Sequence, residues 1–324
     1  MGTTRLIGHA LRLGVLTAGA LALAVHAQAY PTKPITIVVP FPAGSGTDQV
    51  ARGMAQVISA DLNGATVVID NKPGASGMIA AQIAAHAPAD GYTLFMTTNT
   101  TQSADPHLFK KLSYDPDKDF APVAALAKGA MVLTVPTDSA IHTLAEFIAR
   151  ARQKPVTFGA GNSSSRVAGE LFKQSTQTQL TYVPYKGNPQ AVTDLLGGQI
   201  DSMFADTATA LPLVKSGKLR ALGYTGLQRS WAFPTVPTLD EQGVKGYELS
   251  YWVAVYAPRG TPTEVVQRLN AVFVKSVHTE AVRGVFANAV LDIYTTTPQG
   301  LAEFQQHETE KWGRIIRAAG IEPE

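Results

Sequence analysis

The chain has 324 residues, 45% of them hydrophobic, no cysteine, and 27 Lys+Arg against 25 Asp+Glu. Without cysteine there is no disulfide scaffold, so stability has to come from a packed core large enough to hold one or two lobes. Arg5 and Arg12 fall within the first 29 residues with no acidic residue there, so residues 30–324 are formally neutral, which argues against a nucleic-acid or membrane-surface binder.

Residues 1–29 read as a secretory signal peptide: a basic start, the apolar run Leu13 to Val25, and Ala27-Gln28-Ala29 as a small-residue cleavage site. The run is too short to span a bilayer, so a protein beginning near Tyr30 is expected in the periplasm. Ile35 to Asp48, ITIVVPFPAGSGTD, then reads as a buried strand, a Pro/Gly/Ser turn and a helix start, with Val50, Met54, Val57, Ile58 and Leu62 on one helical face. Strand Thr66 to Asp70, an alanine-rich helix from Met78 to Ala87 and strand Tyr92 to Met96 continue a β-α-β-α-β order, which predicts a parallel or mixed sheet. A polar stretch, TTNTTQSADP, and a surface connector, Lys110 to Phe120, follow.

Strand Met131 to Val135 opens a second block that repeats the theme. Its helices are expected at Leu144 to Ala151, Val167 to Gln174, Ala191 to Leu196 and Ala210 to Ser216, and its strands at Val156 to Ala160, Thr181 to Val183, Ile200 to Ala205 and Leu219 to Tyr224. Ser250 to Ala257 is β-like again and leads to two amphipathic helices, Pro262 to Thr279 and Pro298 to Ala319, with a short strand near Leu291 to Tyr294. The expected organisation is therefore an α/β molecule of two lobes, residues 30–132 with 253–324 and residues 133–252. Two crossing segments form its hinge.

Five loops share one character: each follows a strand, is rich in Gly, Ser, Thr or Asn, and leads into a helix. They are Ala43 to Asp48, Gly74 to Gly77, Thr97 to Ser103, Gly161 to Ser165 and Asp206 to Thr209. Loops at the carboxyl ends of strands, followed by helix N-termini, form anion sites because free N–H groups and the helix dipole favour negative charge. Lys186 and Arg166 are cationic candidates for the same site, or ordinary surface charges. Trp252 lines the cleft or packs in the core. No GxSxG elbow, phosphate-loop or HExxH motif is present, and His86, His107, His142, His278 and His307 show no ligand spacing. Neither a metal nor a cofactor is expected.

The opening YPTKPITIVVPFPAGSGTD, then NKPGASG, DGYTLFM, KKLSYDPDKDFAPV, AGELFK, VPYKG, DLLGGQIDSMF, SGKLRAL, FPTVPTLDEQG and the terminal KWGRIIRAAGI resemble the Bug-type solute receptors of tripartite tricarboxylate transporters. The resemblance covers essentially all of residues 30–324. It implies a type II-like periplasmic-binding-protein fold, closure on a small carboxylate, delivery to the membrane subunits of a transporter, and no catalysis; a monomer is expected. It places the ligand against Pro42, Ala43, Gly44, Ser45, Gly46 and Asp48, against Asn99, Thr100 and Thr101, against Gly161, Asn162, Ser163, Ser164 and Ser165, and against Asp206 and Thr207, with Lys186 kept in the candidate set. One departure is the loop GNSSSRV, where many members carry a longer glycine-rich loop ending in histidine. Two rival readings are an exported serine hydrolase using Ser45, Ser163, Ser164 or Ser165, for which no loop supplies a histidine base, and a sensor-type receptor of the same fold.

Overall fold

The β-branched run ITIVV forms strand β1 (Ile35–Val39), and the Ser45 side chain, accepting from the Asp48 amide, starts helix α1 (Gly46–Asp61). This computed structural model describes residues 30–324; the expected signal peptide, residues 1–29, lies outside them. The chain continues through β2 (Val67–Asn71), α2 (Met78–Ala85) and β3 (Thr93–Thr98), and β1 pairs in parallel with both β2 and β3. A wide helical turn (Thr100–Ala104) and the short helix α3 (Asp105–Leu108) follow β3.

Strand β4 (Phe120–Pro136) belongs to both lobes. Its Phe120–Ala130 part pairs antiparallel with β9 (Ser250–Pro258), which also pairs with β3. Its Met131–Pro136 part pairs with β7 (Ser202–Asp206) and β8 (Leu219–Tyr224). Beyond β7 lie β5 (Val156–Ala160) and β6 (Leu180–Pro184), so the strand order is β2-β1-β3-β9-β4-β7-β5-β6, with β8 and β10 (Asp292–Ile293) also on β4. The second lobe carries α4 (Leu144–Gln153), α5 (Ser163–Thr176), α6 (Asn188–Leu196) and α7 (Thr207–Lys215). After β9, helices α8 (Thr263–Ser276), α9 (Glu280–Ala289) and α10 (Pro298–Ala318) complete the first lobe. The chain thus crosses between lobes along β4 and returns along β9.

Three local differences from the sequence reading have physical causes. β4 begins at Phe120, far ahead of Met131, because its alanine-rich segment has weak strand propensity and is held extended by pairing with β9. The helix expected from Pro262 to Thr279 ends at Ser276, and Thr279 caps a separate helix by accepting from the Val282 amide at 3.4 Å. Helices α5 and α7 start earlier than their apolar faces indicate, because the Asn162 and Asp206 side chains cap Ser165 and Thr209. Trp252 takes the core alternative, 1% exposed and edge-on to Phe304 with ring centroids 5.5 Å apart.

The end of β5 touches the start of α6 backbone to backbone. A Cβ on Gly161 would lie 2.1 Å from the Gly187 carbonyl carbon and 2.3 Å from the Asn188 nitrogen, and backbone cannot step aside as a side chain can. Gly161→Ala is therefore expected to destabilise the protein by about 1–3 kcal/mol, the usual range for forced overpacking. Urea unfolding reads this directly, and an unchanged midpoint would contradict the close approach.

Candidate functional site

Strands β1, β3, β5 and β7 end at the junction of the lobes, where ligands of open α/β sheets bind. Helices α1, α5, α6 and α7 begin there, and the first turn of each has amides without partners inside the helix. Residues at or beside these four starts line one cavity: Ser45, Gly46 and Thr47; Asn162 and Ser164; Asn188; and Asp206. Phe41, Thr98, Met131 and Tyr251 complete the wall, the last two from the segments where β4 and β9 cross. The cavity measures about 30 Å³, room for about two water molecules.

Of the residues expected at the site, Ser45, Gly46, Asn162, Ser164 and Asp206 line this cavity. Pro42, Ala43, Gly44 and Asp48 shape the loop beneath it: Asp48 accepts from the Gly44 amide at 2.9 Å and from Asn71 at 3.0 Å, and is ion-paired with Arg52 at 3.0 Å. Asn99, Thr100 and Thr101 are fully buried in the turn after β3, with Thr101 bonded to Thr97 at 2.7 Å. Ser165 donates to the Phe204 carbonyl and Thr207 to the Ala289 carbonyl, so both hydroxyls are engaged away from the cavity. Gly161, Ser163, Lys186 and Arg166 line a second, outer cavity of about 470 Å³ with Ser76 and Tyr182. Arg166 pairs with Glu324 and sits 5.2 Å from the centre of the Tyr182 ring.

Six lining residues were not named individually as site candidates. Thr47 and Thr98 fall inside the loops Ala43 to Asp48 and Thr97 to Ser103, Asn188 stands two residues from the candidate Lys186, and Phe41 lies within the opening stretch. Met131 and Tyr251 look like ordinary strand residues, and only the crossing of β4 and β9 brings them here.

Small polar groups close the seam between lobes. Asn99 donates to the Ser164 hydroxyl at 2.8 Å, Ser163 donates to Asp105 at 2.7 Å, and the Ser76 and Ser163 hydroxyls lie 3.0 Å apart. Asp105 is fully buried, and its second carboxylate oxygen has no partner. Burial pushes its carboxyl well above the usual range, although the Ser163 hydrogen bond, the neighbouring Tyr114 hydroxyl and the charge of Arg166 pull the other way. Burial, and next the Asp206 charge, keep the Tyr251 hydroxyl neutral. Ser45 accepts from the Asp48 amide, Ser163 bonds to Asp105 and Ser76, Ser164 accepts from Asn99 and Ser165 donates to Phe204, so none of the four serines is bonded to a histidine. Among the described residues no group of three or more His, Asp or Glu is placed to hold a metal, and no helix is long and apolar enough to cross a membrane.

Two lobes joined by two crossing strands, with a cavity at the strand ends, define the periplasmic-binding-protein architecture. A family model described as tripartite tricarboxylate transporter family receptor matches residues 49–321. The chain is 33% identical to Protein BugT of Bordetella pertussis over 99% of both chains. Among solved structures it is similar to R. palustris Rpa4515 with adipate, at 34% identity and TM-score 0.88, covering 91% of this chain and all of that one. It is also similar to the periplasmic binding protein BugD, at 30% identity and TM-score 0.86 with the same coverage. The chain belongs to the tripartite tricarboxylate transporter receptor family, a family of solute-binding receptors.

The buried Asp105 carboxyl sets a pH dependence. Its folded-state affinity for protons exceeds that of the unfolded chain, so its contribution to stability is intact at acid pH and is lost as pH rises from the ordinary carboxylate range toward its raised folded value. Asp105→Asn removes this contribution, so the stability difference between variant and wild type should shift in the variant's favour as pH rises above the ordinary carboxylate range. Parallel unfolding profiles across that range would contradict this reading of the site.

Proposed function

We propose that this chain is a periplasmic receptor that captures a small carboxylate between two closing lobes and hands it to the membrane subunits of a tripartite tricarboxylate transporter. The observation that carries the proposal is the convergence of four helix N-termini on one cavity at the lobe junction. The family match and the adipate named with Rpa4515 support the ligand class and the partner. Residues 30–132 with 253–324 form one lobe in this reading and residues 133–252 the other, and the receptor works as a monomer after removal of residues 1–29.

The ligand carboxylate is held by backbone N–H groups and by the hydroxyl and amide side chains of Ser45, Thr47, Asn162, Ser164 and Asn188. Gly46 contributes its backbone N–H from the first of these loops. Hydrogen bonds to a charged group contribute about 1.5–3 kcal/mol each, and a micromolar complex needs about 8.2 kcal/mol in total, so a handful suffices after ordering costs. Because these donors are fixed dipoles enclosed by the lobes, affinity should change little with salt, unlike an exposed cationic site.

A thermal-shift screen of carboxylates on protein stripped of ligand tests the proposal, since a ligand at 100 times its dissociation constant stabilises by about 2.7 kcal/mol. Saturation should also lower the radius of gyration. A Cβ on Gly46 would lie 3.1 Å from a carboxylate oxygen of Asp206 and 3.3 Å from the Ala208 methyl on the opposite lobe, so a branched residue there obstructs closure. Gly46→Val is expected to weaken binding at least tenfold, against less than threefold for Lys186→Ala. Steep salt dependence with loss of binding only in Lys186→Ala or Arg166→Ala would show that a cation holds the ligand and overturn this account.

A further inference from the structure

Outside the cavity, the seam between the lobes buries a carboxylate of its own. Asp105, on α3 of the first lobe, is 0% exposed, and one of its oxygens accepts from the Ser163 hydroxyl of α5, on the second lobe, at 2.7 Å. Its other oxygen has no partner. The same buried turn leaves Asn99 Oδ1, Thr100 Oγ1 and both polar side-chain atoms of Gln102 unpartnered. An ionised carboxylate is stable inside a protein when several donors or a close cation hold it, and one hydroxyl is a poor substitute for its water shell.

The groups around Asp105 come from four elements. Helix α5 contributes Arg166, whose guanidinium pairs with the exposed Glu324 and whose Nε is buried without a partner. The connector contributes Tyr114, which donates to the Thr101 carbonyl at 2.6 Å and which burial keeps neutral. Helix α10 presents the neutral Thr309, bonded to Ser103 at 3.2 Å, and His107 of α3 itself is bonded to the Thr309 carbonyl at 2.9 Å. Ser163 and Arg166 lie across the seam from Asp105. Separation of the lobes would therefore remove both and let water reach the carboxylate, returning it to the ordinary range, whereas burial in the shut seam raises it well above that range.

Resting on the two-lobe receptor reading above, we propose that Asp105 couples lobe closure to the uptake of one proton, which passes from solvent to its carboxylate as α5 covers it and returns to solvent when the lobes part. The closed arrangement binds that proton more tightly than an open one. By linkage, closure is favoured at acid pH and loses that advantage as pH rises from the ordinary carboxylate range through the raised value of the shut seam. A receptor built this way holds its ligand more firmly in acid surroundings without any titrating group in the ligand cavity taking part.

The chain has no cysteine, so fluorophores can be placed at two exposed positions, Gln82→Cys on α2 of the first lobe and Ala149→Cys on α4 of the second, and energy transfer then reads the distance between lobes in protein stripped of ligand. From the ordinary carboxylate range up to about pH 9 the ratio of closed to open protein is expected to fall, by at most about tenfold per pH unit, the limit for a single proton. Asp105→Asn, neutral at every pH, should remove that dependence; Asp105→Ser is neutral as well and takes its place if the asparagine variant does not fold. A ratio that stays level or rises with pH, in labelled protein that still closes on adding adipate or another carboxylate of the thermal-shift panel, would overturn this inference and leave the receptor proposal standing. The wild-type pH dependence persisting in a folded neutral variant would overturn it as well. A distance that neither pH nor any carboxylate changes would overturn both.

Discussion

Backbone N–H groups at the starts of four helices are the constraint on which the rest of the junction depends. A buried helix end needs partners for its first amides. Ser45, Asn162 and Asp206 each satisfy one, at 3.3, 2.8 and 3.0 Å, while α6 begins at Gly187 with no side-chain cap at all. Residues at or beside these four starts line a common cavity bounded by both lobes, with no lysine or arginine in its wall. That arrangement explains the composition of the loops. Gly46 and Gly161 allow backbone to approach backbone or a facing carboxylate, and Ser, Thr and Asn supply caps and additional donors with little bulk.

The same economy governs the seam between the lobes. Asn99 to Ser164, Ser163 to Asp105 and the Ser76–Ser163 pair join the lobes through polar groups that water can replace when the seam opens, so each contributes a net of only about 1 kcal/mol. Asn99, Thr100 and Asp105 retain oxygens without partners in the closed arrangement, which further limits how strongly closure is favoured. Apolar packing is placed elsewhere: β4 and β9 run through the main core, and Trp252, Tyr256 and Phe120 hold the first lobe. The polar contacts of the seam thus sit beside an apolar core that runs along the crossing strands into both lobes.

Much of the molecule was legible from local signals because those signals are local in cause. The β-branched run at Ile35–Val39, the glycine-rich turn and the apolar face of α1 each follow from steric and periodic rules that act within a few residues. The resemblance carried by motifs spread along residues 30–324 led to the fold and family that the family model and the solved structures show. The reading failed where a distant partner decides the outcome. The alanine-rich start of β4 is a strand because β9 lies beside it, and α9 stands apart from α8 because Thr279 caps a new turn.

For the site, the sequence by itself determined which loops are polar, small and positioned before helices, since capping chemistry and glycine freedom are properties of short segments. Tertiary structure decided which members of those loops face one another. It turned Ser165 and Thr207 toward carbonyls, placed Lys186 and Arg166 on an outer cavity, sent Trp252 into the core, and brought Met131 and Tyr251 to the cavity from the crossing strands. The reason is that side-chain direction at a lobe junction is set by how two sheets share β4 and β9, a relation between residues more than a hundred positions apart that no local pattern encodes.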